Sequence, residues 1–214
     1  MKKLLSLTLL LIIFTVPFAA AAQDATSDAA YTPLILGDNV FSLLYPSKWT
    51  YDTDTAVKNG TFVFASDLSI LTRKPDQPYA KGDIVVALDL LVTEKPVTND
   101  DGLEAVLKQF LDTTRYGKDN KSRTTFNPST ASLMPAIDGT PAIARATYSD
   151  VARGDGMIYL WRINERVLGI VTVNTAVGEV TVQEPDVLLF IQSVHFNATP
   201  EEFAKLVQKQ GSGS

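Results

Sequence analysis

The chain has 214 residues, 45% of them hydrophobic, with 24 acidic against 19 basic side chains, one histidine and no cysteine. That length supports one domain with its own core, about 190 residues once a leader is set aside. The acidic balance, with no Lys/Arg run longer than two, excludes a generic nucleic-acid binder. The lack of cysteine excludes disulfides, thiolate metal sites, cysteine nucleophiles and lipid attachment at a cysteine.

Met1-Lys2-Lys3, an apolar run from Leu4 to Val16, Pro17 and the small residues Ala19 to Ala22 form the pattern of a secretory signal peptide over residues 1–22. The alternative is an uncleaved anchor, because the uncharged stretch from Leu4 to Ala22 is 19 residues, about one bilayer span. In either case the two lysines stay inside and the rest faces out. Cleavage near Ala22 predicts a secreted, periplasmic or extracellular product carrying 17 basic residues once Lys2 and Lys3 are removed. Membrane contact is expected only if the leader is kept.

Residues 23–38 open on Gln23-Asp24-Ala25-Thr26 and read as a flexible spacer. Ordered structure is expected from Asn39, as one domain over 39–197. Phe41, Leu43 and Tyr45 alternate with Val40, Ser42 and Leu44, and Pro46 ends the run. Trp49 and Tyr51 follow, then a polar turn from Asp52 to Asn59 and a second strand, Thr61 to Ala65. From Asp83 to Thr93 both faces are apolar apart from Asp89, which predicts a central strand covered on both sides. Leu103, Val106, Leu107, Phe110 and Leu111 form one helical stripe after Pro96, with Asn99, Asp100 and Asp101 as capping groups and Gly117 to close it. Lys118 to Thr130 reads as a loop. Strands are predicted near Ser132 to Ile137, Pro141 to Tyr148, Met157 to Ile163 and Val167 to Asn174, the last two joined at Asn164-Glu165. Val187, Phe190, Ile191 and Val194 make a second helical stripe with Pro185 near its start. Thr199-Pro200-Glu201-Glu202 is a capping box opening a C-terminal helix over 198–210, followed by a Gly/Ser tail over 211–214.

The segment Phe41-Ser42-Leu43-Leu44-Tyr45-Pro46-Ser47-Lys48-Trp49 resembles the aromatic-x-aliphatic-x-Tyr-Pro-x-x-Trp opening of PsbP-like (PsbP/Mog-type) domains. The layout after it is similar as well, down to Ser193-Val194-His195-Phe196. The resemblance implies an α+β fold, an antiparallel sheet flanked by α-helices in an α/β/α sandwich. It implies binding or assembly rather than catalysis, and no metal or thylakoid contact of the photosystem members can be matched to residues here.

The candidate chemistry is sparse. His195 is the one histidine, and a metal site wants three or four ligands. Asp52/Asp54 and Asp100/Asp101 lack the calcium-loop spacing and read more simply as turn and cap residues. Gly154-Asp155-Gly156 lacks the context of a phosphate loop. Arg153-Gly154-Asp155 spells an adhesion tripeptide, expected in a hairpin loop. Asn59, Asn120 and Asn197 begin glycosylation sequons. The least ordinary feature is charge inside strands: Asp89, Arg145, and Arg162 after Trp161. A buried charge must be paired or neutralised. The expectation is either internal ion pairing or an open sheet face on which Asp89, Arg145, Trp161 and Arg162 contact a polar ligand. No cofactor or metal is called for. The leading reading is a non-catalytic exported binding or assembly domain at the bacterial envelope with an unknown protein or small-molecule partner. A carboxylate-dependent exported hydrolase and an adhesion module working through Arg153 to Asp155 are the alternatives.

Overall fold

A computed structural model describes residues 30–36, 40–53, 61–74, 77–93, 96–98, 100–116, 126–137, 140–150, 153–197, 199 and 202. The expected leader, residues 23–29, Asp54, the sequons at Asn59 and Asn120, Gly117, and the C-terminal helix beyond Glu202 lie outside the described residues.

The chain forms two antiparallel sheets. The smaller joins β1 (Tyr31–Leu36), β2 (Phe41–Pro46) and β11 (His195–Phe196) in the order β1-β2-β11. The larger runs β3-β4-β5-β10-β9-β8-β6, with β7 also paired to β8. Its strands are β3 (Thr50–Asp52), β4 (Thr61–Ala65), β5 (Ile84–Val92), β6 (Phe126–Pro128), β7 (Ser132–Met134), β8 (Ile143–Asp150), β9 (Gly154–Arg162) and β10 (Val167–Thr175). Helix α1 (Asp100–Tyr116) lies on one face of the larger sheet, and helix α2 (Val180–Gln192) with the small sheet lies on the other.

Strand alternation decides which core each residue joins. Ile84, Val86 and Leu88 of β5 pack with Phe41, Leu43, Trp49, Val187, Phe190 and Ile191. Leu103, Leu107 and Leu111 of α1 bury against Ala144, Ala146, Ile158, Leu160, Leu168 and Ile170 on the opposite face, each burial stabilising by roughly 1.5–3 kcal/mol. A 3-10 helix (Leu68–Thr72), capped by the Asp67 carboxylate on the Ser69 amide, covers Val63, Ala65 and Val85 beside α1's patch. So β5 is central and double-sided, as its pattern predicts.

Two cross-strand glycines set how closely the strands pack. Gly156 faces Tyr148 and Gly169 faces Trp161. A Cβ on Gly156 would lie 2.2 Å from Tyr148 Cζ, and one on Gly169 would lie 2.4 Å from the Trp161 ring. Each ring lies in the space its partner leaves.

The Phe41 to Trp49 segment is a packing unit. Phe41 stacks on Phe62 at 4.7 Å, Tyr45 meets Phe64, and Trp49 meets Phe190. The Pro46 carbonyl accepts from the Trp49 amide at 2.8 Å, which turns the indole inward.

Several boundaries differ from the sequence-based expectation, among them the start of β9, at Gly154 rather than Met157. Tyr31–Leu36 is not spacer but strand β1, paired along β2; Leu34 and Leu36 pack on the core. Pro33 does not forbid this, because β1 is an edge strand and can do without a ladder donor. Phe126–Pro128, within the expected loop, is β6, held by the Phe126 ring against Tyr148 at 4.9 Å. Helix α2 starts at Val180, so Pro185 is inside it rather than near its start. Val194 lies past its end, where the Ser193 hydroxyl donates to Phe190 O at 2.7 Å. The Asn164 side chain organises the β9–β10 turn by accepting from the Arg166 and Val167 amides, both at 2.9 Å. At the C-terminus the capping box forms: Thr199 N donates to Glu202 Oε2 at 2.8 Å, and Glu202 N to Thr199 Oγ1 at 3.3 Å.

Candidate functional site

The sheet faces separate the four predicted site residues. Arg145 is on the α2 face of β8, opposite Tyr159. Asp89 and Arg162 point to the α1 face, opposite Ile170 and Leu168 respectively. Asp89 accepts from Thr61 Oγ1 at 2.5 Å, so a hydroxyl and not an arginine satisfies it. Arg162 donates to the Val97 carbonyl at 3.1 Å and pins the segment leading into α1. Trp161 is 2% exposed and belongs to the core. The expected single ligand face of Asp89, Arg145, Trp161 and Arg162 is therefore corrected: only Arg145 reaches an open site, because β9 parity sends Arg162 and Tyr159 to opposite faces.

The other signals also resolve. Gly154 and Asp155 lie in β9, not in a hairpin loop. Gly154 has φ 153° and comes so close to β10 that a Cβ would sit 2.1 Å from Thr175 O. The Asp155 carboxylate accepts from the Gly178 amide at 2.7 Å, and Arg153 lies over the Tyr79 ring at 5.8 Å. All three residues of the tripeptide are thus built into the frame. His195 is exposed on β11 opposite Ser42. Among the described residues, no group of three or more His, Asp or Glu is placed to hold a metal.

What Arg145 meets was not legible as a site. Its Nη1 lies 2.5 Å from Glu184 Oε1 of α2. The Tyr159 hydroxyl donates to the same oxygen at 3.3 Å. Burial first, and then the Glu184 charge and hydrogen bond, push the Tyr159 phenol well up, so it stays a donor. The Arg145 side chain is 37% exposed and that of Glu184 22%. The pair therefore faces water and is no buried staple.

It opens into a hollow of about 260 Å³ lined by Ser129, Ser132, Thr147, Met157 and Thr181 as well. A second hollow of about 390 Å³ shares Ser129 and Thr147 and continues past Asn127 and Ser149 to Asp155. Together they make a groove along β8 beside the first turns of α2. The groove exists because α2 packs chiefly on β2, β10 and β9, leaving the same face of β8 uncovered beyond the buried Ile143. Arg145, Thr147 and Ser149 alternate along that uncovered face, while Ala144, Ala146 and Tyr148 fill the buried one. Ser129 closes the strand edge between β6 and β7: its amide donates to Thr147 O at 2.7 Å, and its hydroxyl accepts from Thr147 N at 3.0 Å.

This architecture is shared with a solved structure. The solution structure of cyanobacterial PsbP (CyanoP) from Synechocystis sp. PCC 6803 matches with a TM-score of 0.52 and 15% identity, over 83% of this chain and 98% of that one. The chain has the PsbP/Mog1-like fold. Two further structures are more distant. The Saccharomyces cerevisiae Ran-binding protein Mog1p matches with a TM-score of 0.46 and 10% identity, over 78% of this chain and 95% of that one. A Mog1 mutant matches with 0.47 and 13%, over 81% and 98%. No protein-family model matches the sequence, and no curated protein matches it. At this identity the PsbP likeness concerns the fold alone, and the groove has to be read from its own residues.

Proposed function

We propose that the protein is an exported, non-catalytic binding domain of the cell envelope whose ligand sits in the groove between β8 and α2. The observation that carries this reading is the partly exposed Arg145–Glu184 pair. It presents charged hydrogen-bonding groups to a concave, hydroxyl-lined surface on a rigid sheet, as binding sites do. Support for export comes from the leader pattern of residues 1–22. Support for binding over turnover comes from the groove's lining, which among the described residues has no histidine to serve as a general base, and whose Ser129 hydroxyl is engaged by the Thr147 amide and the Thr130 carbonyl.

The test is affinity purification of the full chain from its own envelope beside a Thr147→Trp variant. Thr147 is exposed on β8, and an indole there projects into the groove over Met157. The expected result is a stoichiometric ligand kept by the wild type and lost by the variant. Equal recovery by both would remove the groove as the site. Turnover of a bound compound by the wild type would replace the binding reading with an enzymatic one.

A further inference from the structure

We infer that the groove takes a neutral, polyhydroxylated ligand, a saccharide, with two neighbouring hydroxyls seated on Arg145 and Glu184. The inference rests on the groove being the binding site. Both bonds to Glu184, from Arg145 Nη1 and from the Tyr159 hydroxyl, fall on Oε1. Glu184 Oε2 and the Nε and Nη2 donors of Arg145 make no further bond to a described residue. A fork of donors and a strong acceptor therefore stand side by side, facing a hollow.

A hydroxyl is the group that uses both, since it accepts from the guanidinium while donating to the carboxylate. Charge argues the same way. The pair is neutral as a unit, so an anion drawn to Arg145 meets Glu184 at contact distance, and a cation drawn to Glu184 meets Arg145. An alcohol incurs neither repulsion. The remaining wall repeats the theme with Ser132, Thr147 and Thr181, groups of no net charge that both donate and accept. Met157, 3% exposed, lies at the apolar base of the hollow. The adjoining hollow, with Asn127, Ser149 and the Asp155 carboxylate that the Gly178 amide engages, continues the polar wall and gives room for more than one sugar unit.

The experiment is an amide NMR titration of the full chain with methyl β-D-glucoside, methyl α-D-mannoside, N-acetylglucosamine and its disaccharide. Sodium acetate, ethylammonium and glycine serve as charged and zwitterionic controls. At least one glycoside should shift the amides of Ser129, Ser132, Thr147, Thr181 and Glu184 while the controls do not. Arg145→Met, shown folded by its own amide spectrum, should weaken that glycoside about tenfold or more, the loss expected for a hydrogen bond to a charged group. Thr147→Trp should abolish the response. If acetate, ethylammonium or glycine binds more tightly than every glycoside, or if the glycoside shifts persist in Thr147→Trp, the inference fails. If all glycosides fail while the wild type still keeps an envelope ligand that Thr147→Trp loses, the ligand class is wrong and the binding reading stands. If that ligand is kept by both, the two fall together.

Discussion

Replacing Gly156 by alanine should destabilise the protein by about 2 kcal/mol. The new Cβ would sit 2.2 Å from Tyr148 Cζ, 2.3 Å from its hydroxyl oxygen and 2.4 Å from Val173 O. Tyr148 is 8% exposed, with its hydroxyl placed against Val173 O and Asn174 Oδ1, and the Val173 carbonyl belongs to the β10 backbone. Overpacking of this kind costs about 1–3 kcal/mol. Displacing the ring also strains the bond from the Tyr148 hydroxyl to Asn174 Oδ1 at 2.6 Å, adding about 1 kcal/mol. Against this, alanine loses less chain entropy on folding than glycine, returning about 0.5–1 kcal/mol. With a urea dependence of about 2 kcal/mol per molar, the midpoint should fall by about 1 M at unchanged slope. Repeating the substitution in a Tyr148→Phe background should recover part of the loss, because one of the three close contacts is the phenol oxygen itself. A Gly156→Ala protein within about 0.5 kcal/mol of the wild type, the range of an ordinary surface change, would refute the reasoning.

Three further outcomes follow from the same packing. Trp49 Nε1 is buried without a partner, so Trp49→Phe should cost less than about 1.5 kcal/mol; Trp49→Ala, which empties the space against Phe190, should cost about 3–5 kcal/mol, both read by urea unfolding. Burial pushes the Tyr51 phenol up to about 12, with smaller contributions from Asp52 and Tyr45, and raises Tyr148 and Tyr159 further. The unfolded chain releases these protons near 10.0 while the folded one retains them, so stability is full below that pH and falls as pH rises above it. Urea midpoints measured from neutral to strongly alkaline pH should show this, and a flat profile through pH 11 would contradict it. A chain begun at Asn39 should be about 2–3 kcal/mol less stable than one begun at Gln23, since it lacks Leu34, Leu36 and the Tyr31 bond to Asp186; equal thermal midpoints would show that β1 contributes nothing.

The sequence is readable where one residue type carries the whole signal. Thr61–Ala65 and the double-sided run of β5 announce themselves because their burial is imposed by their own alternation. The α1 stripe does the same at helical period. Strand β1 is hidden because Pro33 breaks the pattern locally, and the fact that excuses it, an edge position, is tertiary. The start of α2 is hidden because its first turns face the groove. Val182 is 71% exposed, Thr181 and Glu184 line the hollow, and no apolar stripe precedes Val187. Missing that start also hides Glu184, the partner of Arg145. The candidate charges were visible one by one, but their grouping depends on register. Only the pairing of Arg145 with Tyr159 fixes Arg145 on the α2 face and Arg162 on the other.

The position of the groove follows from how the fold distributes its cover. On the α2 face, α2 and the small sheet are tied together: the Leu44 amide donates to Ser193 Oγ at 2.8 Å, Lys48 meets Asp186 at 2.6 Å, and the Tyr31 hydroxyl reaches the same carboxylate. These ties draw the cover toward β2 and away from β8. The α1 face has the opposite bias, with α1 packed on β8 and its neighbours. Strand β8 is therefore sealed on one side and open on the other, and its alternation records both: alanines and Tyr148 inward, Arg145, Thr147 and Ser149 outward. A fold shared with PsbP at 15% identity has to preserve the sealed side, where volume is constrained. It has no such claim on the open side, where Thr147 and Ser149 are exposed and Arg145 meets Glu184. Substitutions at Arg145, Thr147 and Ser149 should therefore leave stability within about 0.5–1 kcal/mol of the wild type, and, on the proposed reading of the groove as a binding site, alter binding.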